Sequence, residues 1–245
     1  MTAPFPTLKQ EEWRYADLDA LKPVWERFAE PVTVTVGAGE ELEDVWLPSA
    51  DEVQLRRVRL ALKEGAKARI FALNTASVYG RIELEVSLAV HSEFELYAAN
   101  IGSVISTNEI VTKVNHVGAG GRSRQVVRSV LNGRATGSYL GKVEVARSAQ
   151  QTDAEQSVKA MLLDRGATAN CKPELEIFAD DVKCAHGASV GELDPMQLFY
   201  AGSRGLDPAG ARTLLLEAFV MGLWDNVRDG DAICAAAREA LRKVA

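Results

Sequence analysis

The sequence predicts a mainly β protein, because strand-like segments follow one another through most of its length. From residue 32 to residue 179, short runs rich in β-branched residues are separated by Gly, Asn, Ser or Asp. Residues 82–90 alternate apolar and polar side chains, which is typical of a strand with one buried face. The predicted strand-like runs are 32–36, 43–47, 53–62, 68–73, 79–91, 94–98, 106–117, 123–131, 136–146, 158–163, 168–171 and 174–179.

The length of this strand-rich region narrows the choice of architecture. It is too long for an ordinary β-sandwich, which leaves a large β-barrel or a β-solenoid. In a solenoid, a single coil cannot bury its apolar face, so successive coils stack on one another. The sequence contains no strict hexapeptide repeat. Periodicity alone therefore favours the solenoid without excluding the barrel.

Helical signals occur at the two ends of the chain. Near the start, charged residues surround apolar anchors such as Trp13, which predicts a short helical lead-in. Near the end, Asp194 and Asp207 each precede a proline, the usual combination of helix N-cap and first helical residue. These signals predict helices at about 195–203, 211–224 and 232–244. The predicted parts are a lead-in over 1–30, a β core over 31–193 and a helical region over 194–245.

The second of these C-terminal helices carries two adjacent apolar stripes. Their combined width exceeds what a helix lying on a small domain needs. From the residues alone, we expect burial among the C-terminal helices themselves, and docking onto another protein chain is the alternative. The candidate partner-binding residues are Leu215, Leu216, Phe219, Val220 and Leu223.

Composition and motifs exclude several classes of function. The formal net charge is -6 and basic residues are scattered, so we expect no nucleic-acid partner. No apolar run reaches the length of a transmembrane helix, and the N-terminus lacks the pattern of a secretory signal. The three cysteines are too few and too spread for a disulfide framework. The expectation is a cytoplasmic protein with reduced thiols and no membrane contact.

The sequence contains no complete motif of the enzyme classes considered. Residues 137–143 resemble a phosphate loop, but the glycine spacing is one residue short and Val143 replaces the magnesium-binding Ser or Thr. Residues 118–121 lack the context of a dinucleotide site and predict a tight turn instead. A carbohydrate-active β-helix enzyme is an alternative, but the adjacent Asp180 and Asp181 would point to opposite faces. We expect a protein that is not an enzyme.

The residues best suited to bind a metal are Cys184 and His186, which lie two positions apart in a strand-like segment. Side chains at this spacing project from the same face of a strand. Val182, Ala188 and Val190 share that face, so we expect it to point into the interior. A neutral imidazole and a thiolate both bind iron or zinc. From these residues alone, however, an inert buried cysteine beside a hydrogen-bonded histidine is the favoured interpretation.

The segment KPELEIFADDVKCAHGASVGELD, followed by LFYAGSRG, closely resembles the C-terminal region of the SufD branch of the SufB/SufD family. These proteins are scaffold subunits of the SUF system of iron–sulfur cluster assembly. The segment EEWRYADL resembles the N-terminal part of the same family. The likeness is strong from about residue 138 to residue 219. It implies a right-handed parallel β-helix flanked by helical ends, in a chain that is short for the family.

The resemblance also implies partners and a site. It implies a complex with a SufB paralogue and with SufC, an ABC-type ATPase that docks on the helices around 194–225. His186 is implied to take part in nascent cluster formation at the SufB–SufD interface, with Cys184 as a weaker candidate. The cluster or its iron is held transiently, so no stably bound cofactor is expected. Gly187 stands where SufB is thought to carry a glutamate. A homodimer of the isolated chain, as a self-associating solenoid, is a further possibility.

Overall fold

The computed structural model describes residues 4–228 and 230–245. Residues 1–3 of the predicted lead-in and residue 229 of the predicted helical region lie outside this description. The strands are β1 (Val32–Val36), β2 (Glu41–Trp46), β3 (Val53–Leu62), β4 (Lys67–Asn74), β5 (Tyr79–Leu88), β6 (Glu93–Gly102), β7 (Thr107–His116), β8 (Arg122–Leu131), β9 (Thr136–Val145), β10 (Asp153–Leu162), β11 (Thr168–Ile177) and β12 (Lys183–Gly191).

The strands form two parallel six-stranded sheets. The odd-numbered strands β1 to β11 form one sheet in sequence order, and the even-numbered strands β2 to β12 form the other. Each coil of the chain contributes one strand to each sheet. The fold is therefore a β-solenoid of about six coils, as predicted, and the alternative of a large barrel is wrong.

The coils differ in length, which explains the missing sequence repeat. Val32 pairs with Val58, 26 residues further along the chain. Thr136 pairs with Thr168, which is 32 residues further along. Parallel pairing fixes the register between strands, while the turns absorb the additional residues. A strict repeat is therefore not needed for the coils to stack.

Apolar side chains from both sheets fill the space between them. Leu84 and Ile110 of the odd-numbered sheet and Leu96 and Val127 of the even-numbered sheet belong to this core and are almost completely buried. Burying each such side chain contributes roughly 1.5–3 kcal/mol relative to leaving it exposed. The alternation of apolar residues in the sequence thus corresponds to one inward-facing row per strand.

Several strands are longer than predicted: β6 and β10 extend beyond the runs 94–98 and 158–163, and two predicted runs form the single strand β11. The runs 168–171 and 174–179 were expected as separate strands, but β11 continues through Pro173. Proline cannot donate a backbone hydrogen bond, so it is tolerated in a strand that has an unpaired edge. Among the described strands, β11 lies at the end of its sheet and pairs with β9 alone. The position of β11 in the fold therefore permits a residue that would disrupt a central strand.

The N-terminal lead-in packs against the odd-numbered sheet and buries charged groups beneath it. It contains helix α1 (Leu18–Leu21), helix α2 (Trp25–Phe28) and two 3-10 turns (Glu11–Trp13 and Lys22–Val24). The guanidinium carbon of Arg81 lies 3.7 Å from the centroid of the Trp13 ring. Arg81 also donates a hydrogen bond to Glu109 at 3.2 Å, and both side chains are fully buried. The cation–π contact joins the lead-in to the solenoid, and the buried ion pair between β5 and β7 holds Arg81 in place for it.

Three helices follow the last strand: α3 (Pro195–Ser203), α4 (Pro208–Met221) and α5 (Asp231–Val244). Asp194 accepts a hydrogen bond from the backbone N–H of Met196, and Asp207 accepts one from Gly210, so both predicted N-caps are confirmed. Helices α4 and α5 share a second apolar core with the outer face of the even-numbered sheet. This contact differs from the expected burial among the C-terminal helices alone.

Candidate functional site

Cys184 and His186 lie on β12, the last strand of the even-numbered sheet. In the register with β10, Ala154 pairs with Cys184 and Gln156 pairs with His186. Ala154 is 2% exposed and belongs to the core between the sheets. Cys184 and His186 therefore project from the inward-facing side of the solenoid, as the alternation predicted.

The expectation that this pair faces a buried interior is wrong for His186. In the described structure, β12 pairs on one side with β10 and no further coil follows it. The His186 side chain is exposed, and Cys184 is partly buried against the core. Alternation identifies the face of a strand but not whether another coil covers it. The helix start at Asp194, three residues after the end of β12, is the sequence signal that the run of coils ends here.

The thiol of Cys184 is not activated by its surroundings. Burial raises its pKa, a hydrogen bond with the backbone of Ala154 opposes this effect, and the nearby charge of Asp153 raises the pKa further. A thiol with a raised pKa remains protonated at neutral pH and is a poor nucleophile. In this chain alone, Cys184 is a packing residue next to the more accessible His186.

Among the described residues, no cluster of metal-binding side chains surrounds His186. Within residues 4–228 and 230–245, no group of three or more His, Cys, Asp or Glu side chains is placed to hold a metal ion. His186 is exposed on the open coil and offers one imidazole.

The predicted partner-binding set on α4 and in the turn after it needs correction. Leu216 and Val220 are completely buried and Leu223 is 6% exposed, because all three pack against the outer face of the even-numbered sheet. Leu215 and Phe219 are partly buried. The wide apolar surface of α4 thus serves mainly to attach the helix to its own solenoid, and three of the five candidates are not available to another chain.

A different apolar surface is exposed on α3. Met196, Phe199 and Tyr200 are 70%, 72% and 60% exposed. Sequence reasoning missed this surface, although positions i, i+3 and i+4 lie on one face of a helix and the spacing was visible. Leu206 and Leu214 are also exposed, at 40% and 52%. We call Met196, Phe199 and Tyr200 the α3 surface.

The other two histidines lie outside the site. His116 is fully buried on the inward side of β7, and its Nε2 lies 2.9 Å from the Ser123 hydroxyl. Burial lowers its pKa to about 4, so the ring is neutral at physiological pH. His91 is exposed in the turn after β5. Residues 137–143, which resembled a phosphate loop, are part of strand β9.

No helix in the described part of the chain has both the length and the apolar character needed to cross a membrane.

Comparison with known proteins identifies the family. The family model described as "SUF system FeS cluster assembly, SufBD core domain" matches residues 31–219. The iron–sulfur cluster assembly SufBD family protein slr0076 of Synechocystis is 31% identical over 182 residues, which cover 73% of this chain and 40% of that protein. SufD of Escherichia coli is 37% identical over 107 residues, covering 44% of this chain and 25% of SufD.

A plant relative extends the same likeness. The chloroplastic protein ABCI7 of Arabidopsis thaliana is 45% identical over 102 residues, covering 40% of this chain and 21% of ABCI7. In each of these three relatives, the matched region is 40% or less of the full length. The family model nevertheless covers the whole strand region and helices α3 and most of α4. The chain belongs to the SufBD family of iron–sulfur cluster assembly proteins of the SUF system.

Proposed function

We propose that this chain is a SufD-type scaffold subunit that assembles iron–sulfur clusters together with a SufB-type solenoid and a SufC-type ATPase. The observation that carries the proposal is the exposure of His186 on the inward side of an uncovered coil. An unpaired strand edge favours association with another strand. A second solenoid placed against β12 would cover the inward side of the last coil and bury His186 at the interface.

The cluster is cargo in this proposal, and its ligands come from two chains. His186 contributes an imidazole, while the SufB-type partner contributes thiolate, the usual ligand of iron in clusters. Cys184 has a thiol whose pKa is raised by burial, so we assign it a secondary role. Gly187 has open space around it: an added Cβ would meet no atom within 4 Å. Packing therefore does not require glycine at this position, and the glutamate that SufB is thought to carry belongs to the partner.

The α3 surface is the docking site that we assign to the ATPase. It replaces the buried α4 residues as the main contact, and the exposed Leu214 extends it. Residues 192–194 alone separate the end of β12 from the start of α3. Movement of the ATPase during ATP hydrolysis would therefore reach the strand of His186 through a short connection. We infer that such movement opens and closes the interface between the two solenoids.

The chain itself has a non-catalytic role in this proposal. ATP hydrolysis is assigned to the SufC-type partner, since the segment that resembled a phosphate loop is an ordinary strand. Asp180 and Asp181, the residues considered for a carbohydrate-active enzyme, lie in the turn between β11 and β12. No observation on the described residues favours that enzyme over the scaffold.

The open coil also supports self-association of the isolated chain. β12 has no proline along its free edge, so a second copy could continue its hydrogen-bonded sheet. Sedimentation at increasing concentration should show a monomer–dimer equilibrium. A strict monomer at high concentration would argue against this homodimer, while leaving association with a SufB-type chain to be measured separately.

The scaffold role is tested by reconstituting this chain with SufB-type and SufC-type partners and measuring cluster formation. We expect His186→Asn to slow cluster formation by about tenfold or more, because loss of a metal ligand or its support typically weakens metal affinity to this extent. His91→Asn is the matched control, since His91 is also exposed but lies in the turn after β5. Full activity of His186→Asn would overturn the proposed role of His186.

A further inference from the structure

A column of four inward-facing side chains runs along the even-numbered sheet and ends at His186. Leu96 on β6 pairs with Gln125 on β8, Gln125 pairs with Gln156 on β10, and Gln156 pairs with His186 on β12. Neighbouring strands lie about 4.8 Å apart, so each side chain is within reach of the next. The column changes from apolar to polar as it approaches the open coil.

Two hydroxyl groups on the odd-numbered sheet fix the side chain of Gln125 by hydrogen bonds. Its Oε1 accepts hydrogen bonds from the hydroxyl of Thr112 at 2.6 Å and from the hydroxyl of Tyr139 at 3.1 Å. An amide oxygen has two lone pairs, so both are used. The Nε2 of Gln125 is buried and has no hydrogen-bond partner among the described residues. Gln125 therefore keeps free donors but has no free acceptor.

Gln156 is the exceptional member of the column. It is 1% exposed, and neither its Oε1 nor its Nε2 has a partner in the described part of the chain. Buried amide groups in native proteins are nearly always hydrogen-bonded, so two unpaired atoms on one side chain require an explanation. Its neighbours in the column are Gln125, with free donors, and His186, whose imidazole makes no hydrogen bond to a described residue.

We propose that Gln156 is a positioning residue for His186. When a second solenoid covers the open coil, the imidazole turns inward and donates its N–H to Oε1 of Gln156. The second lone pair of Oε1 accepts from Nε2 of Gln125. A histidine that binds a metal usually donates its other ring N–H to a fixed acceptor, which selects the tautomer and orients the ring. The remaining ring nitrogen of His186 then faces the interface with its lone pair free for iron.

This inference rests on the proposed function, and it is tested in the same reconstituted assembly. Only this chain is labelled with ¹⁵N-histidine, so its three histidines are the sole labelled rings. The ¹⁵N shifts report which ring nitrogen of His186 carries the proton, and His186→Asn assigns the signal. Anaerobic titration with Fe²⁺ alone measures affinity without cluster chemistry.

Two substitutions at Gln156 separate positioning from packing. Gln156→Met removes the acceptor but fills a similar volume without a buried polar group. We expect a mixture of His186 tautomers and an Fe²⁺ affinity lower by about 10-fold or more. Gln156→Glu keeps an acceptor oxygen and should restore a single tautomer. Asn100→Leu is the control for a lost inward amide outside the column, and it should leave the His186 tautomer single.

The outcomes distinguish this inference from the proposed function. If Gln156→Met leaves both the tautomer and the Fe²⁺ affinity unchanged while His186→Asn stops cluster formation, the positioning role of Gln156 is wrong and the scaffold role stands. If His186→Asn leaves cluster formation at full rate, the proposed function itself is wrong. A tautomer change in Gln156→Met that Gln156→Glu reverses supports the positioning role.

Discussion

Strands β10 and β12 are neighbours in one sheet and pair residue for residue, yet their inward sides have different surroundings. On β10, Gln156 and Val158 are 1% and 2% exposed. Their partners on β12, His186 and Ala188, are exposed. The difference arises because β10 lies between two strands and β12 is the last strand of its sheet. Stacking of coils, rather than the direction of the side chain, thus decides burial in this fold.

The largest effect should come from placing a charge on the inward side of an enclosed coil. Val158→Asp buries a carboxylate in an apolar core, and the cost of about 5 kcal/mol or more is comparable to the total stability of a typical domain. Ala188→Asp places the same charge at the paired position on the open coil and should change stability little. Chemical denaturation of both variants measures this contrast, and similar losses in the two variants would contradict it.

The second-largest loss of stability should come from breaking the buried ion pair between Arg81 and Glu109. Arg81→Leu leaves Glu109 buried without its partner and removes the contact with Trp13, so we expect a loss of about 3–5 kcal/mol in the free energy of unfolding. The control is Arg59→Leu, which breaks the exposed pair with Glu85 and should cost about 1 kcal/mol or less. A small effect of Arg81→Leu would mean that the lead-in does not depend on this pair.

On helix α4, a buried and an exposed leucine should likewise differ in their effect on stability. Leu216→Ala removes a completely buried side chain and should destabilise the chain by about 2–4 kcal/mol. Leu214→Ala, two positions away on α4 and 52% exposed, should change stability by no more than about 0.5 kcal/mol.

For binding to the ATPase, a substitution at an exposed position should matter more than it does for stability. Phe199→Ser on the α3 surface should weaken co-purification with the SufC-type partner while leaving the unfolding midpoint unchanged. Retained binding in Phe199→Ser would indicate that α3 is not the docking element.

The smallest effect concerns pH and compares an enclosed with an uncovered histidine. Burial lowers the pKa of His116 to about 4, below the unfolded value of about 6.5. The unfolded state therefore binds the proton more tightly, so stability is full above pH 6.5 and falls progressively as the pH drops toward 4. Between pH 7 and pH 5, the loss should be about 2 kcal/mol.

The matching variants are His116→Gln, which should remove this part of the pH dependence, and His186→Gln, which should retain it. Denaturation at several pH values provides the measurement. An unchanged slope in His116→Gln would show that another group controls stability in this range.

The sequence predicted most of the fold because alternation and turn residues are local properties. The strand over 53–62 and the helix N-caps at Asp194 and Asp207 were predicted correctly from the residues. Continuity of β11 through Pro173 was not, since it depends on the edge position of that strand in the sheet.

The site was predictable in part. The shared face of Cys184 and His186 follows from their spacing, but the exposure of His186 depends on where the solenoid ends. Burial of Leu216 and Val220 depends on the solenoid surface that α4 meets, which no property of the helix itself reveals. Gln156 pairs with His186 because 30 residues separate the matched positions of their strands. Coil length varies along this chain, so the sequence alone did not predict this spacing.

The central claim is that β12 is an unpaired edge strand and that a second solenoid pairs with it and covers its inward side. Backbone amide exchange of β10 and β12 tests it most directly, first in the monomeric chain and then with a SufB-type chain bound. We predict slow exchange throughout β10 in both states. In β12, the amides that point away from β10 should exchange rapidly in the monomer and slowly in the assembly. Equal protection of β10 and β12 in the monomer, or no change in β12 on assembly, would contradict the account.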